Sequence, residues 1–187
     1  HMNEGHAAFL TLELLRERVR HRENRAHLPV LKLSERVRPT DNLASALANS
    51  ELVISAVPCQ HLRAVWEECG PLASAAVPIC SVTKGIEQGT FARPSQIIDA
   101  YVGENPIAVL SGPSIAPEIA RCLPATVVVA CAHASVAELI QACLNTAWFR
   151  VYTNPDVIGV ELAGALKNVI ALAAGILDGL NAGDNAK

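Results

Sequence analysis

No G-x-G-x-x-G occurs anywhere in these 187 residues, so the glycine turn that cradles a dinucleotide pyrophosphate is not encoded in them. There is no C-x-x-C pair and no His/Cys spacing suited to a metal ion, so no metal site is expected. Positive charge is short as well. Lys and Arg number 15 against 18 Asp and Glu, a net of −3, which excludes any general attraction to nucleic acid or anionic lipid. The longest uncharged run of the late apolar stretch, Asn168 to Leu177, is too short to cross a bilayer, and no membrane span is expected from it. No internal repeat, low-complexity tract or secretory signal is seen. Cys80, Cys122 and Cys131 lie in apolar runs and read as small buried hydrophobes, which makes a reducing cytoplasm the expected setting.

What the chain has is apolar mass: 51% of it is hydrophobic, enough for one core and part of a second domain. The body alternates. Leu52–Val57, Val77–Val82, Ile107–Leu110, Thr126–Cys131 and Phe149–Thr153 read as short buried strands. Helices are expected over about 60–69, Ser95–Val102, Ser114–Cys122 and Ser135–Leu144, with Ser114 a candidate N-cap. Such alternation predicts an α/β fold with a mainly parallel sheet and helices on both faces. Before it, residues 6–23 read as a helix with a basic end (Arg16, Arg18, Arg20, Arg22, Arg25), either a solvated helix terminus or a contact for a nucleotide phosphate. Leu28 to Pro39 reads as an irregular connection, followed by a short helix capped by Asp41.

Parallel sheets bind ligands beyond the carboxyl ends of their strands. Three features sit at such ends: Ala56-Val57-Pro58, Thr83-Lys84-Gly85 and Ser111-Gly112-Pro113-Ser114. Gly85 lets the chain turn after Lys84, and Gly112 admits a close backbone approach. The helix that follows offers free N–H groups to an anion.

The late stretch 154–187 organises the rest. Asn154 and Pro155 suit a helix start. Ile158, Leu162, Leu166, Ile170, Ala173, Leu177 and Leu180 then form a stripe expected to face the core. The other side carries Val160, Gly164, Lys167, Asn168, Ala171, Gly175 and Asp178. Lys167 stands there among small neighbours, which leave room for something to approach its ammonium group. A small-residue face equally serves close helix packing, and a lone lysine usually points at water.

SAVP (55–58), TKGIE (83–87), LSGPSIAPEIARCLPATVV (110–128), FRVYTNPDVIGVELAGALKNVIALAAGILDGL (149–180) and GDNAK (183–187) together resemble the bacterial-type NAD(P)-dependent glycerol-3-phosphate dehydrogenases. The resemblance is collinear from about Arg16 to Lys187. It implies an incomplete Rossmann-type domain over 3–153 and the first long helix of an all-helical substrate domain over 154–187. It implies interconversion of dihydroxyacetone phosphate and sn-glycerol 3-phosphate with NAD or NADP, a step that supplies glycerophospholipid precursors, and it admits a homodimer. By position it assigns Lys167 as the catalytic proton donor and acceptor. Lys84, Gly112, Ser114, Lys167 and Asn168 fall on substrate contacts, and Pro58, Lys84 and Ala116 on cofactor contacts. The family's glycine turn, and its later Asp and Arg-Asn residues, are not among these residues, so this stretch alone is expected to turn over little. The rival readings are a related dehydrogenase of the same architecture and a non-catalytic remnant serving as an interaction or assembly domain.

Overall fold

A computed structural model describes residues 21–24 and 28–183. Five strands form one sheet in sequence order: β3 (Val53–Ser55), β4 (Ile79–Ser81), β5 (Ile107–Ser111), β6 (Ala125–Cys131) and β7 (Phe149–Asn154). A separate antiparallel pair, β1 (Glu23–Asn24) and β2 (Leu28–Lys32), precedes them. The helices are α1 (Leu43–Leu47), α2 (Cys59–Cys69), α3 (Pro94–Asp99), α4 (Ala116–Ala120), α5 (Ala134–Leu144) and α6 (Val157–Gly179).

The expected α/β sheet is present and mainly parallel, but the β5–β6 pairing is antiparallel, with Ser111 opposite Val128. Connection length explains this. Returning to the start of a five-residue strand covers about 16 Å. The 11-residue helices α2 and α5 span about that at 1.5 Å per residue. The parallel β4–β5 crossover has a helix of only six residues, but 25 connecting residues, 82–106, to make the return; the β5–β6 connection has 13, 112–124, and its five-residue α4 spans only about 7.5 Å. The chain therefore turns at the end of β5 and comes straight back. Gly112, at φ +144°, makes the turn; a Cβ there would lie 2.8 Å from Val127 Cα. The close approach expected at Gly112 is thus taken up by the backbone of β6.

Both faces of the sheet are covered. Ile79 packs with Leu62, Trp66, Ile97 and Ile98 of α2 and α3. The next residue, Cys80, points the other way and packs with Val127, Val129, Ala137 and Ile140, the period-two alternation of a buried strand. Trp66 donates its Nε1–H to Ser55 Oγ at 3.0 Å, so the polar end of this buried ring is paired. Cys80 and Cys131 are buried as expected; Cys122 is exposed, at the left-handed residue (φ 57°) that ends the α4 segment.

Several local expectations are corrected. Leu28–Lys32 is a strand rather than irregular chain. Asn42, not Asp41, caps α1, accepting from Ser45 N. Asp156 caps α6 by accepting from Gly159 N at 2.8 Å, while Asn154 accepts from Asp156 N one step earlier. Of the basic run, Arg16, Arg18, Arg20 and Arg25 lie outside the described residues, as does most of the helix expected over 6–23. Arg22 donates to the carbonyls of Leu33 at 3.1 Å, Ser34 and Val37 at 2.9 Å, holding the turn after β2.

The largest correction concerns α6. Its apolar stripe does not face the core: Ile158, Leu166, Ile170 and Leu180 are 44–72% exposed. The helix rests on β5 and β6 through its first third, and Glu161 is its one buried residue. At 23 residues it is also long and apolar enough to cross a membrane by length and composition. The Asn168–Leu177 count misses this because it stops at Lys167 and Asp178 rather than measuring the whole helix.

Gly70 follows α2 beneath Tyr101, where a Cβ would lie 2.2 Å from the Tyr101 carbonyl oxygen. Gly70→Ala is expected to destabilise the fold by about 2 kcal/mol, the usual cost of overpacking against a neighbour that cannot yield. Denaturant titration checks it, and an unchanged midpoint would show that the backbone there gives way.

Candidate functional site

Two lysines from distant parts of the sequence converge at the carboxyl ends of β4 and β5. Lys84 follows β4. Thr83 pins the strand end by donating its hydroxyl to Val57 O at 2.7 Å, and Gly85, at φ +116°, turns the chain away. The Lys84 Nζ then reaches across to the end of β5, donating to Gly112 O at 2.9 Å and to Ser114 Oγ at 3.4 Å. Ser114 is therefore not the cap of α4. That position belongs to Ile115, and a helix of five residues offers little to an anion.

Lys167 arrives on α6. The helix lies so close to β5 that a Cβ at Gly164 would be 2.4 Å from Ser111 Oγ, with the Lys84 stem 3.9 Å away. Lys167 follows Gly164 by three positions and shares its face. Between the helix and the strand ends is a cleft of about 480 Å³, with Lys84, Gly112, Ser114 and Lys167 on its wall. Ile115, Val128, Val160 and Ala163 supply an apolar lining. Burial lowers the Lys84 pKa from its ordinary 10.5, and the like charge of Lys167 lowers it further. Two ammonium groups against an apolar wall suit a small anionic ligand.

Four of the sequence candidates thus share one cleft. Three do not reach its wall. Asn168 is the next residue round the helix from Lys167, turned about 100° away, and is exposed. Pro58 begins α2 and Ala116 begins α4, both exposed.

The loop after Lys84 is tied down by carboxylates that sequence reasoning passed over. Glu87 accepts from Arg63 Nε at 2.9 Å and Nη2 at 2.7 Å, a bidentate pair, and from the Thr90 hydroxyl. These bonds hold its carboxyl down at about 2. Glu161 of α6 is buried against Arg93 and Ser95. A signal for it existed: one carboxylate inside the apolar run VIGVELAGAL has to find a buried partner once the helix packs.

Residues 8–137 match the model of the family described as NAD-dependent glycerol-3-phosphate dehydrogenase N-terminus, and residues 156–187 the one described as its C-terminus. The chain is 46% identical over 168 residues to a glycerol-3-phosphate dehydrogenase (NAD(P)+) of Streptomyces avermitilis, covering 89% of this chain and 50% of the relative. It is 48% identical over 165 residues to a protein of the same name from Frankia casuarinae, covering 87% and 49%. The chain spans about half the length of the curated relatives it matches. Among solved structures, a glycerol-3-phosphate dehydrogenase of Coxiella burnetii superposes with a TM-score of 0.81 at 33% identity, over 92% of this chain and 53% of that one. One from Plasmodium falciparum superposes with a TM-score of 0.85 at 27% identity, over 95% and 50%.

The Glu87 pair sets an acid limb. Its carboxyl titrates at about 2 in the fold against an ordinary 4.5, so its contribution is full above 4.5 and is lost as pH falls from there toward about 2. Denaturant stability followed across that window should fall in the native protein and fall less steeply in Glu87→Gln. Identical slopes would show that the pair carries no proton-linked stability.

Proposed function

Because this chain belongs to the NAD-dependent glycerol-3-phosphate dehydrogenase family, we propose that the cleft between Lys84 and Lys167 is where dihydroxyacetone phosphate and sn-glycerol 3-phosphate are interconverted. The observation that carries this reading is the convergence of the two lysines on one partly apolar cleft at the strand ends. When bound, NAD or NADP would supply the hydride chemistry. The residues present fit the nicotinamide end of such a group: the cleft opens at the carboxyl ends of parallel strands, and its apolar lining matches a flat ring. Pro58 and Ala116 stand at the helix starts beyond β3 and β5, where a nucleotide laid along the strand ends would pass.

In this reading Lys167 Nζ hydrogen-bonds the C2 oxygen of the substrate. It gives up a proton as charge develops on that oxygen and takes one back in the reverse direction. Lys84 contributes a second positive charge, held in place by Gly112 O and Ser114 Oγ, and steadies the substrate phosphate as a point charge. Gly112 and Ser114 border the substrate, and Asn168 is the weakest member of the set. The reducing direction yields sn-glycerol 3-phosphate for glycerophospholipid synthesis. The unpaired thiols of all six cysteines suit a reducing cytoplasm. Retention of both lysines argues against a purely non-catalytic remnant.

The test is oxidation of NADH or NADPH by dihydroxyacetone phosphate in a complete enzyme that carries this stretch, with Lys167 intact and with Lys167→Ala. Removing a general acid should lower turnover by about 10²- to 10⁴-fold. Near-native turnover in the variant would take Lys167 out of the mechanism.

A further inference from the structure

Glu161 lies six residues before Lys167 on α6, about 9 Å along the helix axis. Its side chain is 3% exposed, and it is the one buried residue among those described in that helix. It accepts three hydrogen bonds from a single short segment: Ser95 N at 2.8 Å, Ser95 Oγ at 2.6 Å and Arg93 Nη1 at 2.5 Å. The Ser95 N–H is one of the free donors of the first turn of α3, whose cap position is Arg93. A carboxylate at that place is favoured by both the free N–H and the helix dipole. Glu161 therefore caps α3 from another element.

Arg93 is also the far end of the loop that begins at Lys84. That loop is closed on itself: Phe91 N donates to Glu87 O at 3.0 Å, and Glu87 N to Ala92 O at 3.0 Å. Its middle is clamped to α2 by the Arg63–Glu87 pair. One end of this closed loop carries Lys84 and the other carries the groups that hold Glu161. The close contact of α6 beside the cleft, Gly164 against Ser111, involves no side chain on the helix and sets closeness rather than register along the axis, and the residues around it, Val160 and Ala163, are apolar and carry no directional bond. We infer that Glu161 is a positioning residue, the anchor that registers α6 on the 83–93 loop and thereby sets where Lys167 stands relative to Lys84.

The inference rests on the proposed reaction only for its consequence in turnover; the geometry can be tested without substrate. The chain contains four lysines, Lys32, Lys84, Lys167 and Lys187, so ¹³C-labelled lysine side chains can be titrated individually by NMR. In the native chain Lys84 should titrate below 10.5. In Glu161→Gln the charge is gone and an NH2 group replaces one carboxylate oxygen, facing either the Ser95 N–H that donates to Oε1 or the Arg93 and Ser95 hydroxyl donors that share Oε2, so α6 loses its register. The Lys84 midpoint should then move up toward 10.5, because the wall and the like charge that depress it withdraw. Ser95→Ala removes one of the three bonds and should move Lys84 in the same direction by less; it carries the test if Glu161→Gln does not fold. Lower thermal stability with an unmoved Lys84 midpoint in the folded variants would overturn the inference and leave Glu161 a purely structural pair. In protein that turns over, Glu161→Gln should lower kcat by about 10- to 100-fold while the cofactor KM holds, as expected for a reacting group misplaced by about 1 Å. Loss of the proposed activity in the native protein would count against the reaction alone, since the Lys84 titration needs neither substrate nor cofactor.

Discussion

Helix α6 can lie on the end of strand β5 because residue 164 has no side chain. With a Cβ 2.4 Å from the Ser111 hydroxyl, the helix would have to lift away or Ser111 would have to move. Everything else at the cleft depends on that close approach. It brings Lys167 over the carboxyl ends of the strands and closes the space above Gly112 and Ser114. It also partly removes Lys84 from water, the first cause of its lowered pKa. The bland reading of the Gly and Ala face, close helix packing, and the functional reading, room beside a lysine, are thus two consequences of one contact.

Holding two ammonium groups near each other is unfavourable by itself, and the fold meets that cost with fixed dipoles. Lys84 is held by a carbonyl and a hydroxyl from the turn after β5. That turn exists because β6 returns antiparallel and packs its backbone against Gly112. A parallel return would have sent residues 112–124 along the face of the sheet and left the strand end bare. The one departure from a parallel sheet is therefore what supplies the partners of Lys84. Beneath it, the Glu87 and Glu161 pairs keep the supporting loop from moving. The Glu161 pair is largely shielded from solvent, where breaking one side of an ion pair leaves a charge without compensation, whereas the Arg63 side chain of the Glu87 pair is partly exposed.

Most of the sheet was legible from the chain because buried strands need continuous apolar runs with β-branched residues, and those runs end where turn residues begin. Leu52–Val57 and Val77–Val82 are of that kind and each contains a strand of the sheet, and Thr126–Cys131 lies within a third. Lys84, Gly112, Ser114 and Lys167 stood out in the chain because each stands at a strand end or on a small-residue face, and the fold brings them to one cleft. Cap positions were misread by one or two residues: Asp41 for Asn42, Asn154 for Asp156. Asp and Asn are nearly equivalent caps, so composition alone does not choose between neighbours. The apolar stripe of α6 was misassigned for a deeper reason. Periodicity shows which residues share a face, and it is silent on whether anything covers that face.

What the sequence determined by itself was the set of elements, their alternation and the chemistry available at their ends, because each depends on residues a few positions apart. The tertiary structure decided the antiparallel return of β6, the face of α6 that meets the sheet, and the partners of Arg22, Glu87 and Glu161. It also decided that Lys84 and Lys167, 83 positions apart in the chain, share one cleft. Those outcomes depend on how far a short helix can carry the chain, on where a missing side chain allows contact, and on which buried charge finds which donor. None of these is a property of local spacing.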